Sequence, residues 1–126
     1  MRKFSDPIMW THLLFVVNAF LYAFSDYDHI AILLFLNTIA STFYHRSREK
    51  DKAWQGVDMF FCWITVLAIL FTVYSLCSRV EITVLLLWLF GSLIVWHEGD
   101  KHYAVLHAIW HFLVFGGNLI AWSFLP

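Results

Sequence analysis

The sequence predicts an all-α integral membrane protein: one transmembrane domain over residues 1–126, built from about five transmembrane helices. Hydrophobic residue types supply 61% of the 126 residues and charged types only 13%, whereas soluble domains carry about 25% charged residues. A soluble domain of this length could not bury so much apolar surface. Lipid is therefore the solvent that the composition indicates.

Five apolar stretches are long enough, or nearly long enough, to cross a bilayer core, which needs about 20 residues of helix. They cover residues 7–24, 29–45, 54–76, 82–96 and 103–124. Pro7 suits the start of the first helix, because its missing N–H would be unpaired there in any case. The fourth stretch is short, which predicts a helix with little tilt or a locally thinned bilayer.

An alternative interpretation of the first stretch is a cleaved signal peptide. Arg2 and Lys3 precede the apolar run, and Ala23-Phe24-Ser25 at its end loosely imitates a cleavage site with small residues. The run is long for such a segment and contains His12 and Asn18, which favours a retained span. The other four spans keep the same orientation in either case.

The basic residues predict the orientation of the chain. With five spans, the N-terminus shares one side of the membrane with the loops after the second and fourth spans. That side carries seven of the eight lysines and arginines: Arg2, Lys3, Arg46, Arg48, Lys50, Lys52 and Lys101. Arg79 alone lies on the other side, with the C-terminus. Because basic loops stay in the cytoplasm, the N-terminal side is predicted to be cytoplasmic.

Polar residues inside the spans are few, and their spacing brings them to one depth. Ser41 and His45 share a face near the end of the second span, since they are four residues apart. Asp58 lies early in the third span, and His107 and His111 are four apart in the first half of the fifth. One helix separates the third span from the fifth, so all five residues are predicted near the cytoplasmic face. Ionisable residues at such positions are costly and usually functional.

This set of residues predicts a metal centre of the catalytic zinc type. Three imidazoles with one open position are a common arrangement for catalytic Zn²⁺, and histidines four apart on a helix supply two ligands from one face. His107 and His111 would be that pair and His45 the third ligand. Asp58 could act as a general base or orient an imidazole. Ser41 could donate a hydrogen bond to a developing oxyanion.

Each residue also has a structural interpretation. His107 and His111 could hydrogen-bond between helices, and Asp58 could pair with Lys52. His12 lies near the cytoplasmic side, where it could approach the site, but is interpreted as an interfacial residue. The polar loop before the fifth span offers a rival set of metal ligands: His97, Glu98, Asp100 and His102.

The pattern Ser41-Thr-Phe-Tyr-His45, then Asp58, then His107-Ala-Ile-Trp-His111 resembles the CREST superfamily. That group includes alkaline ceramidases, progestin/adipoQ receptors with their hemolysin III relatives, and hydrolases that remodel the lipid of GPI anchors. The resemblance implies that the three histidines bind zinc, with Ser41 and Asp58 close to the zinc-bound water. It also implies hydrolysis of a lipid amide or ester, and the last motif looks most like the ceramidase version.

The family core has seven helices, whereas five are predicted here, so the lipid chamber would be smaller or completed by a second copy in a homo-oligomer. The predicted function is a zinc-dependent intramembrane hydrolase that cleaves a lipid amide or ester, ceramidase-like, near the cytoplasmic face. One alternative is a non-enzymatic receptor-like or structural membrane protein with a structural zinc site. Another is a channel or transporter subunit. No region is basic and polar enough to suggest nucleic acid as a partner.

Overall fold

The computed structural model describes residue 1, residues 6–97 and residues 103–126. The described residues form five α-helices and no strand, which confirms the all-α prediction. The helices are α1 (Pro7–Ala23), α2 (Asp28–Arg46), α3 (Lys52–Leu76), α4 (Arg79–His97) and α5 (Tyr103–Phe124). Each lies on one of the five apolar stretches.

Aspartate residues cap the N-termini of α1 and α3. The Asp6 carboxylate accepts a hydrogen bond from the Ile8 backbone N–H at 3.1 Å, directly before Pro7. Asp51 accepts from the N–H groups of Ala53 and Trp54 at 3.0 and 3.1 Å. These carboxylates satisfy N–H groups that have no partner within the helix, and they favour the positive end of the helix dipole.

Helix α4 is longer than the predicted span, which began at residue 82. It starts at Arg79 and runs for 19 residues. The Glu81 carboxylate reaches back and accepts from the Ser78 backbone N–H at 2.6 Å. This contact is one of the two hydrogen bonds that make up a capping box. It brings a charged first turn into the helix, whereas hydropathy alone assigns that turn to a loop.

Helix α1 lies between α2 and α5 and packs closely on both. Helix α3 packs on the other side of α2, and α4 packs on α5, while α3 makes only small contacts with α4 and α5. The apolar core lies at the end of the bundle that includes Tyr22, Ile30, Leu34, Val73 and Ala121. The opposite end, near the N-terminus of α1, holds His12, His45, His107 and His111.

Three helices are long and apolar enough to cross a membrane, judged by length and composition: Lys52–Leu76, Arg79–Trp96 and Val105–Phe124. Helix α1 is apolar but shorter, with 17 residues. Large apolar side chains face outward, among them Leu67, Phe71, Leu87 and Phe90, each at least 62% exposed. The interior holds buried polar side chains, such as Asn18, Thr65 and Ser92, as well as the apolar core. Large apolar side chains on the outside of such a bundle suit a protein whose outer surface meets lipid.

Candidate metal centre

Four histidines from three helices meet inside the bundle. His12 comes from α1, His45 from the last turn of α2, and His107 and His111 from one face of α5. His12, His45 and His111 are at most 2% exposed, and His107 is 9% exposed. The ring of His45 lies 4.5 Å from that of His107 and 5.6 Å from that of His111, between centroids. Burial of four imidazoles together needs a physical explanation, because buried polar groups require partners.

The hydrogen bonds of His111 determine which of its ring nitrogens carries the proton. The Thr11 hydroxyl donates to the Ile8 carbonyl at 2.9 Å, so its oxygen can only accept from His111. The His111 Nδ1 lies 2.7 Å from that oxygen and is therefore the protonated nitrogen. In the neutral ring Nε2 keeps a lone pair, and Nε2 is buried without a hydrogen-bond partner.

His12 has the same arrangement. Its Nδ1 lies 3.0 Å from the Met9 carbonyl oxygen, which can only accept, so Nδ1 carries the proton. The Nε2 lone pair of the neutral ring then accepts from the Ser41 hydroxyl at 3.0 Å. A backbone carbonyl on Nδ1 is a usual way of fixing a histidine whose Nε2 binds a metal.

His45 is oriented by a carboxylate. Its Nδ1 lies 2.8 Å from Glu49 Oε1, so this nitrogen also carries a proton. The loop that brings Glu49 back to the helix end has positive φ at Arg48 and at Glu49, 56° and 59°. Non-glycine residues seldom adopt such angles, at a cost of about 1–3 kcal/mol each, and they cluster at functional sites. The Nε2 of His45 faces His107 Nε2 at 3.1 Å.

These nitrogens have the geometry of a metal site. One ring nitrogen from each of His12, His45 and His111 lies within 4.8 Å of the other two, and all three residues are buried. Two nitrogens at about 2.0–2.1 Å from one tetrahedral ion are about 3.3–3.4 Å apart. The 3.1 Å between His45 and His107 is close to that spacing. A buried Nε2 lone pair without a proton donor, such as that of His111, fits a cation, so the cluster could hold a metal ion.

Ser41 and Asp58 lie beside the cluster, on the wall of a cavity of about 290 Å³. His107 and His111 line the same cavity, with Tyr44. Asp58 reaches this cavity from α3 and lines it together with Ser41. The structure thus brings together all five residues that the sequence predicted as a site, with Ser41 and Asp58 next to the imidazoles.

A second, almost wholly apolar cavity of about 100 Å³ lies between α3, α4 and α5. The two cavities share five lining residues: Met59, Cys62, Trp96, Trp110 and Val114. A polar chamber at the imidazoles therefore adjoins an apolar slot along α3.

Sequence reasoning missed three residues of this centre. His12 was expected at the membrane interface, whereas the structure buries it against Ser41, His45 and His111. A histidine inside an apolar run was the available signal. Thr11 and Glu49 gave no signal, since their roles depend on hydrogen bonds to distant or newly turned segments. The rival ligand set at His97, Glu98, Asp100 and His102 involves side chains outside the described residues.

Comparisons of the chain with protein-family models, with curated proteins and with solved structures find no match.

Proposed function

We propose that this protein is a zinc-dependent intramembrane hydrolase that cleaves an amide or ester bond of a membrane lipid. The observation that carries the proposal is the buried group of imidazoles beside a cavity that also holds Asp58 and Ser41. The resemblance of these motifs to the CREST superfamily adds the reaction class. The distribution of basic residues adds the side of the membrane, with the centre and the N-terminus facing the cytoplasm and the C-terminus on the opposite side.

The donor atoms suit zinc. Nitrogen donors from imidazole favour Zn²⁺ and its neighbours in the transition series over Mg²⁺ or Ca²⁺, which prefer oxygen. His45, His107 and His111 would hold the ion. When bound, zinc supplies a Lewis acid for the carbonyl oxygen and lowers the pKa of a coordinated water.

The other residues would handle protons and position the substrate. Asp58 faces the cavity from α3 and can take a proton from the attacking water and return it to the leaving group. Ser41 can donate a hydrogen bond to the carbonyl oxygen as charge develops on it. Tyr44 lines the same cavity and has a hydroxyl that can orient a polar headgroup.

A lipid substrate is supported by the two adjacent cavities, which share five lining residues. The polar one would take the scissile bond, and the apolar slot between α3, α4 and α5 would take an acyl chain. The slot has Trp63, Leu70 and Leu89 among its lining residues. An amide or ester joined to a hydrocarbon chain matches this change in polarity along one path.

The experiment that tests the proposal measures metal content and hydrolysis together. The full-length protein is purified in detergent, analysed for bound metals, and incubated with ceramide and with phospholipid esters. Wild type is expected to carry one zinc per chain and to release fatty acid. His107→Ala and His111→Ala should lose the metal and the activity. His29→Ala is the matched control, because His29 is exposed at the other end of α2.

Asp58→Asn separates catalysis from metal binding. It should keep the zinc and lose most of the hydrolysis, by about 10²–10⁴-fold for removal of a general base. Wild type without stoichiometric metal would remove the basis of the proposal. Zinc with no hydrolysis of either lipid class would instead favour a structural zinc site in a receptor-like protein. The fourth imidazole, His12, is the observation that favours this second candidate, since closed sites are typically structural.

A further inference from the structure

We propose that His12 is itself a ligand of this metal ion, so that the centre has four imidazole donors and ties α1 to α2 and α5. The inference rests on the proposed metal, and it extends the set of His45, His107 and His111. It makes no use of the hydrolytic reaction. The ligand would be a divalent transition-metal ion that accepts four nitrogen donors, such as Zn²⁺ or Co²⁺.

The first argument is the state of the His12 ring. The Met9 carbonyl accepts a hydrogen bond from Nδ1–H, so Nε2 of the neutral ring has a lone pair. His12 is 2% exposed, and its ring centroid lies 4.9 Å from that of His111 and 5.3 Å from that of His45. The Nε2 lone pair is therefore buried next to two other rings whose Nδ1 atoms are also held by outer partners.

The second argument concerns the donor to the His12 lone pair. The Ser41 hydroxyl lies 3.0 Å from His12 Nε2 and has a single hydrogen to donate. Whenever Ser41 turns that hydrogen toward another acceptor, the lone pair of His12 is left without a donor in a buried site, which is unfavourable. A cation at the cluster satisfies that lone pair independently of Ser41.

The third argument is distance. The relevant nitrogens of His12, His45 and His111 already lie within 4.8 Å of one another. Ligation of one ion needs about 3.3–3.4 Å between nitrogens at tetrahedral angles. The difference between these two spacings is about 1.5 Å. An imidazole can move its nitrogen by this distance when it turns about its side-chain bonds. His107 Nε2 lies 3.1 Å from His45 Nε2 but is not one of those three nitrogens, so ligation by His107 requires its ring to turn toward the ion as well.

This coordination makes a prediction about chemistry. With four protein ligands, a coordinated water needs a fifth position, and zinc adopts five-coordination in some catalytic sites. His107 and His111 line the polar cavity, so the fifth position would open there. His12 and His45 would close the ion from the opposite side, toward α1 and α2.

The test uses Co²⁺ as a spectroscopic probe in the full-length protein in detergent micelles. X-ray absorption of the Co²⁺ form is expected to count four imidazoles in wild type and three in His12→Ala. The dissociation constant for Co²⁺ should rise by more than about 100-fold in His12→Ala, beyond the 10–100-fold typical of residues that only orient a ligand. His29→Ala should match wild type. Ser41→Ala removes the hydroxyl that hydrogen-bonds to His12 but keeps the imidazole. It therefore tests whether the effect of His12 on Co²⁺ binding comes only from that hydrogen bond.

A second variant keeps the test decisive if His12→Ala does not fold. His12→Cys in a Cys62→Ser background should give a thiolate-to-cobalt charge-transfer band in the near ultraviolet, which arises only when residue 12 binds the ion directly. The inference fails if that band is absent from a Co²⁺-loaded protein. It also fails if His12→Ala keeps the wild-type spectrum and weakens Co²⁺ binding no more than Ser41→Ala.

The outcomes separate this inference from the proposed function. If wild type binds neither Co²⁺ nor Zn²⁺, the proposed function and the inference about His12 are both wrong. If wild type binds zinc and hydrolyses lipid while residue 12 stays outside the coordination sphere, the hydrolase stands with three imidazole ligands. If four imidazoles bind and no lipid is hydrolysed, the four-ligand centre stands as a structural one.

Discussion

At the scale of single residues, the chemistry of this site depends on which ring nitrogen each histidine exposes to the interior. Each of three Nδ1–H groups donates a hydrogen bond to an acceptor outside the cluster. The acceptors are the Thr11 oxygen, the Met9 carbonyl and the Glu49 carboxylate. The Nε2 atoms that remain then point their lone pairs inward. A set of imidazoles prepared in this way binds a cation without first losing protons. Residues that would not touch a bound ion are therefore expected to control its affinity.

Glu49 is expected to strengthen metal binding through His45. In Glu49→Ala the Nδ1 proton of His45 loses its acceptor, so the dissociation constant for zinc should rise about 10–100-fold. Competition with a chelating dye measures it. Lys50→Ala is the control, since Lys50 is the neighbouring residue, is exposed and also lies in the α2–α3 loop. Equal affinity in both variants would mean that Glu49 does not orient His45.

Thr11 is expected to act on His111 in the same manner. Thr11→Val keeps the shape of the side chain but removes the oxygen that accepts from His111 Nδ1. Zinc affinity should fall by about 10–100-fold. Thr11→Ser restores the hydroxyl and should restore the affinity. A Thr11→Val protein that binds zinc like wild type would show that the 2.7 Å contact has no role in ligation.

At the scale of helices, close approach between α4 and α5 depends on a glycine pair. Gly116 and Gly117 lie in α5, and small residues at such positions allow helices to approach closely. Trp88 of α4 lies over both glycines and donates from Nε1 to the Leu113 carbonyl at 2.7 Å. A Cβ at Gly117 would lie 2.8 Å from Trp88 Cδ1, and a Cβ at Gly116 would lie 3.1 Å from its Cζ2.

Gly117→Ala should therefore destabilise the fold by about 1–3 kcal/mol, the usual cost of overpacking. Thermal unfolding in detergent, followed by circular dichroism, measures the change. Gly91→Ala is the matched control, because it lies in α4 and a Cβ there meets nothing within 4 Å. That change should be neutral or stabilising by up to about 1 kcal/mol, since alanine favours helix. Equal effects of the two substitutions would contradict the packing argument.

At the scale of the whole molecule, the number of helices decides where the polar residues meet. Helix α2 ends, and α3 and α5 begin, at the same end of the bundle, and α1 begins there too. His12, His45, Asp58 and His111 therefore share one level. The basic residues place that end in the cytoplasm if all five helices span the membrane.

This topology has a direct test. Lys50→Cys and Arg79→Cys place single thiols on exposed positions of the α2–α3 loop and the first turn of α4, in a background without Cys62 and Cys77. A membrane-impermeant thiol reagent should label residue 50 from the cytoplasmic side only and residue 79 from the opposite side only. Labelling of both residues from one side of sealed vesicles would rule out the five-span arrangement.

Much of the fold followed from the sequence, because the pattern of apolar stretches and short polar breaks is local. All five predicted stretches coincide with helices. Their ends differ most at α4, where Ser78 and Glu81 extend the helix by capping. The convergence of Ser41, His45, Asp58, His107 and His111 also followed, because it requires only spacing along a helix and the direction in which each helix runs.

The tertiary structure alone decided how those residues are used. The rotation of each helix about its axis and the closeness of α1 to α5 bring Thr11 to His111, 100 residues away in the chain. Left-handed residues at 48 and 49 turn Glu49 onto His45. His12 joins the cluster because α1 lies between α2 and α5, which no local pattern encodes. The sequence by itself determined five helices and a shared level for the polar residues. Contacts between distant segments decided the rest, because hydrogen-bond geometry depends on how the helices pack.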